Sequence, residues 1–354
     1  MKVGTSPEGM IERALLALNQ VPVPIPDTLF TAGLARSIMA ATKFGIFDLL
    51  AEGPNTVAAI AAGANLNSSA TAKLLHVLLA AGYVESLDDN LQQFRLSALS
   101  KRWLVSTSAV SVAPFVLFNY ENWKIIEHFE TYLQTGEGLD FHAHYGPEEW
   151  KRYQRAMAAV AGSLAKETAA KLPAPPNPRK MLDIGGGHCR YAVEMCRRHK
   201  TLSAVVFDLP SAVEAAAPLL AEQGMGDRVL HIEGDATAAD FGETLYDVVF
   251  MAQLAHHLIE DQNRDLAKRV ARALKRDGVF AIWEQIAIHA PSEAKRRDRK
   301  LGTILDLFFG ASSASGTWSI AQIQSWLTEA GLKALKPVAL LRGPGTFMVC
   351  GRKV

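Results

Sequence analysis

The amino-acid sequence predicts an α/β protein in two parts: a mainly helical N-terminal region of winged-helix pattern, then a doubly wound parallel sheet that ends in an antiparallel hairpin. Three observations carry that reading. Five apolar runs, "KMLDIG", "SAVVFDLP", "RVLHIEGD", "YDVVFMAQ" and "GVFAIWEQ", alternate with segments of crossover-helix length, and continuous apolar strands of this kind belong to parallel sheets covered on both faces. Before them, apolar residues recur at helical spacing, interrupted by two short strand-like runs around Asp88-Asp89-Asn90. Between the two textures stands "KLPAPPNPRK", whose four prolines remove backbone donors and favour extended chain. The expected domains are therefore residues 1–172 and 173–354.

Length and composition agree. A chain of 354 residues is too long for one typical core, and 49% apolar residues suffice for two. Lys plus Arg (37) nearly cancels Asp plus Glu (36), so no global field points to nucleic acid or to an anionic membrane. A small, largely neutral partner is expected. Cys189, Cys196 and Cys350 form no C-x-x-C pair and are odd in number, which argues against a disulfide framework or structural zinc and fits a reducing cytoplasm. No export signal and no segment of about 18 uninterrupted apolar residues is read.

Within the N-terminal region, "TLFTAGLARSIMAATKFGIFDLLAEGP" keeps Leu29, Gly33, Ile38, Phe44, Phe47 and Leu50 near one helical face before a Gly-Pro stop. Residues 56–104 then read as helix, turn, helix and a short hairpin, the winged-helix pattern. Two further helical stretches follow, the second opening at Pro147 with acids in its first turn. At the C-terminus "KALKPVAL" and "TFMVCGRKV", joined by "RGPG", read as a hairpin.

The chemistry is expected at the ends of the strands. In "MLDIGGGHCRYAVEMCRR" a strand ends in Asp183, and Gly185-Gly186-Gly187 bring bare backbone to the carboxyl edge of the sheet, where a nucleotide-like ligand approaches closely. Arg190 replaces the third glycine of G-x-G-x-x-G, and no G-K-[ST] follows, so neither NAD nor a triphosphate is favoured. Asp208 ends the second strand and suits ribose hydroxyls; Asp235 ends the third and suits an exocyclic amine, with Leu209 and Ala236 as apolar walls.

These segments, with "YDVVFMAQLAHHLIEDQNRDLAKRVARALKRDGVFAIWEQ" and the terminal hairpin, resemble the S-adenosylmethionine-dependent O-methyltransferases of the plant and bacterial small-molecule type. The region from "MAATKFGIFDLLAEGPNTVAAIA" to "ATAKLLHVLLAAGYVES" resembles that family's winged-helix dimerisation domain, and the resemblance covers roughly residues 27–354. It implies a Rossmann-like methyltransferase sheet and S-adenosyl-L-methionine as cofactor. Asp183, Gly185 and Gly187 would lie near its methionine part, Asp208 at ribose and Asp235 at adenine. One departure falls in the loop: the family's G-G-G-x-G reads here with Cys189 in its last place.

His256 and His257 follow the fourth strand where the resembling family reads His-Asp-Trp, so His256 aligns with its general base. A phenol of pKa near 10 is a reluctant nucleophile at pH 7 by roughly 4 kcal/mol, and an imidazole of pKa near 6.5 can take its proton during methyl transfer. Glu284, ending the fifth strand, aligns with the acid that orients that histidine. A second acid is missing, since Ser315-Gly316-Thr317 occupy its place.

The resemblance also implies an apolar acceptor pocket from Phe115, Phe118, Asn119, Trp123, Met157, His257, Phe308, Phe309 and Trp318. The expected enzyme is a homodimer that moves a methyl group to a hydroxyl of a small aromatic metabolite. No metal is assigned. The winged helix offers only Lys73 and His76 toward DNA, against an apolar surface that suits a protein partner. "EAKRRDRK", residues 293–300, reads as a solvated helix face. Two alternatives stay open from the residues alone. One is C- or N-methylation of a small metabolite with the same cofactor, with or without a metal at His142, His144, His256 and His257; the other is a non-methylating or regulatory member of the same fold.

Overall fold

The structure, a computed structural model, describes residues 6, 7, 9–287, 300–313, 315–343 and 345–354. The charged run at 293–300 lies outside them but for the backbone of Lys300. The chain folds as two compact units, one reaching Tyr120 and the other spanning Glu121–Val354.

The smaller unit carries helices α1 (Met10–Ala17), α2 (Thr31–Lys43), α3 (Ile46–Ala51), α4 (Val57–Gly63), α5 (Ser68–Ala80) and α6 (Ala98–Trp103). Strands β1 (Asn55–Thr56), β2 (Val84–Ser86) and β3 (Gln93–Leu96) form an antiparallel sheet in the order β1-β3-β2. Thr56, Asn67 and Ser97 start α4, α5 and α6, each side-chain oxygen accepting from the amide three residues on. Phe47, Leu75, Leu78 and Phe94 fill the core. The apolar stripe read from Leu29 to Leu50 is not one helix. Gly45 takes φ +69 and breaks it between α2 and α3, so Phe47 and Leu50 turn inward while Leu29 and Phe44 are exposed.

Helix α7 (Ala113–Glu127) spans the division between the units. In the larger unit α8 (Phe129–Thr135) and α9 (Pro147–Lys171) precede an eight-stranded sheet. Its strands are β4 (Lys180–Ile184), β5 (Ser203–Asp208), β6 (Val229–Glu233), β7 (Tyr246–Ala252), β8 (Leu274–Gln285), β9 (Lys333–Ala334), β10 (Val338–Ala339) and β11 (Thr346–Arg352). The order is β10-β11-β8-β7-β4-β5-β6, with β9 beside β11. Strands β4 to β8 pair in parallel and β11 pairs antiparallel with β8. The first arm of the expected hairpin is split into β9 and β10 around Pro337, which has no N–H for the ladder.

Helices α10 (Arg190–Arg198), α11 (Pro210–Ala221), α12 (Glu260–Ala273), α13 (Lys300–Ser313) and α14 (Ile320–Glu329) complete this unit. Strand periodicity sorts side chains between two cores. Val248 and Phe250 join one cluster with residues of α9 and α10, whereas Val249 and Met251 join another with residues of α12 and α14.

The domain boundary corrects the expected one. Ala161, Leu164, Ala165, Ala169 and Leu172 pack into the same core as Met181 and Val206, so α9 and the proline segment after it belong to the sheet unit. The division falls after Tyr120 instead of after Leu172. Proline spacing marks where the backbone is extended, and packing decides to which core it belongs.

Phe250 sits fully buried on the central strand β7. Phe250→Ala should lower unfolding free energy by about 3–5 kcal/mol, measured by equilibrium denaturation with an unchanged denaturant slope.

Candidate active site

The parallel strand order reverses between β4 and β7, and at such a switch point the loops leaving neighbouring strands diverge and open a crevice. The loop after β4 carries the glycines; the loop after β7 carries the histidines.

Asp183 is fully buried, on the Met181 side of β4. Neither of its carboxylate oxygens has a hydrogen-bond partner. Burial, then the nearby Asp208 charge, push its pKa up to about 8; the Ala192 backbone amide pulls the other way without reversing this. A side chain on the glycines that follow would displace their neighbours. A methyl group at Gly186 would stand 2.5 Å from Asp183 Cγ, and one at Gly187 would stand 2.5 Å from Gln154 Oε1 and 2.9 Å from Asp208 Oδ2. The loop is tied to the next strand, because the Gly187 amide donates to Asp208 Oδ2 (2.8 Å) and the Leu209 amide to Oδ1 (2.8 Å).

Cys189 occupies the position of the missing glycine in the left-handed region, at φ +62, a conformation that costs an L residue roughly 1 kcal/mol or more. Its side chain is fully buried in the core beneath the loop. Sγ lies 2.9 Å from His231 Nε2 and 3.1 Å from the Gly187 carbonyl, and His231 Nε2 reaches that carbonyl at 2.8 Å. Burial pushes the thiol pKa up, so Cys189 packs as a neutral group. Burial also lowers His188 to about 4.

Asp235 is exposed, and its Oδ1 accepts from the Thr237 amide (2.8 Å) and hydroxyl (2.7 Å), holding its own turn. Leu209 is exposed at the end of β5, and Ala236 packs partly against the core.

On the opposite face, Glu284 is 1% exposed and His256 3%. Glu284 Oε1 accepts the Ala255 amide at 2.7 Å, and Oε2 lies 2.9 Å from His256 Nδ1. His256 stacks on Phe309 at a ring separation of 3.7 Å and an angle of 11°, which favours a positive imidazole. Its Nε2 lies 3.1 Å from His257 Nε2. His257 in turn packs edge-on against His142, centroids 4.9 Å apart, and His142 stacks on Trp150 and meets Tyr153 edge-on.

The histidine loop is braced by groups that the sequence reading missed or assigned otherwise. Asn263 Nδ2 donates to the Ala255 and Leu258 carbonyls, Trp318 Nε1 donates to Ala255, and Ser315 Oγ donates to Leu258. Trp318 thus holds the loop rather than only lining a pocket. A buried asparagine on the apolar face of α12 was the available signal for Asn263, as was a glutamine among alanines for Gln154. Phe115, Phe118 and Asn119 lie in the smaller unit, with Phe118 buried; Trp123 and Met157 are partly buried in the larger one. Among the described residues, no group of three or more His, Cys, Asp or Glu side chains is placed to hold a metal ion.

Two family descriptions match this chain. An O-methyltransferase dimerisation domain covers residues 28–106, and an O-methyltransferase domain covers residues 126–332. The chain belongs to the O-methyltransferase family. The methyltransferase is 25% identical to a mitomycin biosynthesis 6-O-methyltransferase from Streptomyces lavendulae, over 97% of each chain. It is also 25% identical to an N,N-dimethyltransferase from Streptomyces rimosus, over 84% of this chain and 87% of that one. Its fold matches that of human N-acetylserotonin methyltransferase, solved in complex with S-adenosylmethionine, with a TM-score of 0.77, 20% identity and 99% of each chain covered. Among the described residues, no helix of the methyltransferase is long and apolar enough to cross a membrane.

Asp183 has a measurable signature. An unfolded aspartate titrates near 3.9, so from about pH 4 to about pH 8 the folded chain keeps a proton that the unfolded chain has lost. The group therefore costs stability progressively as pH rises through that window. Asp183→Asn should remove the cost, leaving unfolding free energy at pH 8 relative to pH 5 higher than in the wild type by on the order of 3 kcal/mol. Denaturant titrations of the ligand-free protein at both pH values measure it.

Proposed function

We propose that this chain transfers a methyl group from S-adenosyl-L-methionine to a hydroxyl of a small aromatic acceptor, as a homodimer through its dimerisation domain. The observation that carries the reading is the pairing, across one switch point, of a buried unpartnered carboxylate beside bare glycine backbone with a buried His256–Glu284 pair. The first suits a ligand that brings its own cation. The second suits removal of a proton.

Asp183 would meet the cationic methionine end of the cofactor, with the backbone of Gly185 and Gly187 alongside. Asp208 would accept from the ribose hydroxyls while keeping its loop amides, and Leu209, Asp235 and Ala236 would border the adenine. When bound, the cofactor supplies a methyl group already activated on a sulfonium. What remains for the protein is orientation and a place for the acceptor's proton. Glu284 orients the His256 ring through Nδ1 and offsets its positive form, and Phe309 covers one face. Trp123, Met157 and Phe309 supply apolar surface for a flat acceptor. The three free buried cysteines accord with a reducing compartment.

The likeness to an N,N-dimethyltransferase favours nitrogen as the second choice of acceptor atom. Product mass and the position of the new methyl signal separate the two, and an N-methyl product would overturn the hydroxyl assignment.

Two results test the main reading. Calorimetry with S-adenosylhomocysteine should give one site per chain, weakened about 100-fold or more in Asp208→Ala, which loses charge-assisted bonds of about 1.5–3 kcal/mol each. His256→Ala should retain that site and lose about 10²–10⁴ in turnover of a hydroxylated aromatic acceptor. Undiminished turnover in His256→Ala would remove the histidine from the mechanism.

A further inference from the structure

We propose that the acceptor's proton reaches His256 through His257, whose buried and unpartnered Nδ1 is the nitrogen that meets the acceptor hydroxyl. This rests on the methyl-transfer reading above and specifies how the proton leaves.

The inference follows from the direction of the hydrogen bonds. The Glu284 carboxylate accepts only, so His256 Nδ1 carries the hydrogen of the 2.9 Å bond between them. Neutral His256 then has a lone pair at Nε2. That lone pair already has a partner, because His257 Nε2 stands 3.1 Å away and must carry the hydrogen of this second bond. His257 Nδ1 is left with a lone pair. It is buried and has no hydrogen-bond partner, and the same holds for Nε2 of the neighbouring His142. Orphaned buried nitrogens are costly unless something polar completes them. The two rings are in edge-on contact, centroids 4.9 Å apart, so both open nitrogens belong to one buried cluster that a polar atom of a small ligand would complete.

The same arrangement explains why one imidazole would not serve alone. A positive charge on His257 is opposed by burial and by the adjacent His256 and His142 rings, which lower its pKa well below the ordinary histidine value. A charge on His256 meets Glu284 and the face of Phe309. The proton therefore enters at one ring and its charge settles on the next. The acceptor O–H bond breaks and a bond to His257 Nδ1 forms. In concert, the His257 Nε2–H bond breaks and a bond to His256 Nε2 forms, while the acceptor oxygen's electron pair bonds the methyl carbon; the methyl–sulfur bond breaks with its electron pair left on sulfur, so the departing group is a neutral thioether. His257 ends neutral in its other tautomer, and His256 ends as an imidazolium beside Glu284.

Other titratable groups near this pair are Asp140, which bears on His142, and Tyr145 and Tyr153, which pack around the His142 ring. Burial pushes both tyrosines up and lowers His142 to about 4, so all three rings stay neutral near pH 7.

Two measurements decide it. Long-range ¹⁵N NMR of the full chain labelled in histidine should find His256 protonated at Nδ1 and His257 protonated at Nε2 alone. His257 protonated at Nδ1 would overturn the relay whatever the acceptor. In kinetics, a panel of phenols, naphthols and hydroxyquinones is offered with S-adenosylmethionine. Wild-type turnover should show a curved proton inventory in H₂O/D₂O mixtures, from two protons in flight. His257→Gln, which keeps a hydrogen bond to His256 but passes no proton, should lose at least 100-fold in kcat. Its S-adenosylhomocysteine affinity should stay within threefold, and the inventory should become linear. Free imidazole should restore at least tenfold to His257→Ala. Wild-type kcat in His257→Gln overturns the relay alone, whereas a wild-type chain that methylates no acceptor overturns the functional reading beneath it.

Discussion

A carboxylate shut away from water must find donors, and the way Glu284 finds them arranges the rest of the site. It ends β8 on the side of the sheet that faces α12 and α14, and its two oxygens reach across to the loop of the neighbouring strand. One takes a backbone amide and the other takes the imidazole beside it. Losing either donor would leave a buried charge partly unsatisfied, at a cost of several kcal/mol. The loop after β7 is therefore held by electrostatics as well as by packing, and the histidine presents one orientation.

Asp183 shows the opposite case on the other face of the same sheet. It is as deeply buried, yet neither oxygen has a hydrogen-bond partner, and the Ala192 amide only moderates the cost of burial. One acid is completed by the fold and fixes a ring; the other is left incomplete and keeps its proton near neutral pH. Folding free energy is tolerated as a local loss at Asp183, where a ligand's cation would recover it. The absent second acid near His256 is answered by other means. Asn263, Trp318 and Ser315 hold the loop by its carbonyls, so support reaches the backbone instead of the ring.

The parts of this architecture that depend on local pattern were legible in the sequence. The five parallel strands, the wing hairpin and the Pro147 start of α9 stand where apolar runs and capping chemistry put them. His256 and Glu284 were legible through the family resemblance that aligns them as a pair, and they do meet. Features set by contacts distant along the chain were not legible. Helical spacing could not show that Gly45 would turn left-handed, nor that α9 would pack on the sheet across a run of prolines. Asp235 reads as a ligand because it ends a strand, but its Oδ1 also holds its own turn, a local competition that strand position hides. The tautomer order through His257 needed interatomic distances that no spacing contains.

Gly187 and Gln154 occupy one shared volume, since any side chain at the first would overlap the amide of the second. Changes at the two positions are felt by each other. A side chain at residue 187 must push the Gln154 amide aside, and a smaller residue at 154 leaves that volume unfilled beside the glycine loop. Two residues on different elements are thus coupled, and their joint variation would trace the history of this loop more faithfully than either position by itself.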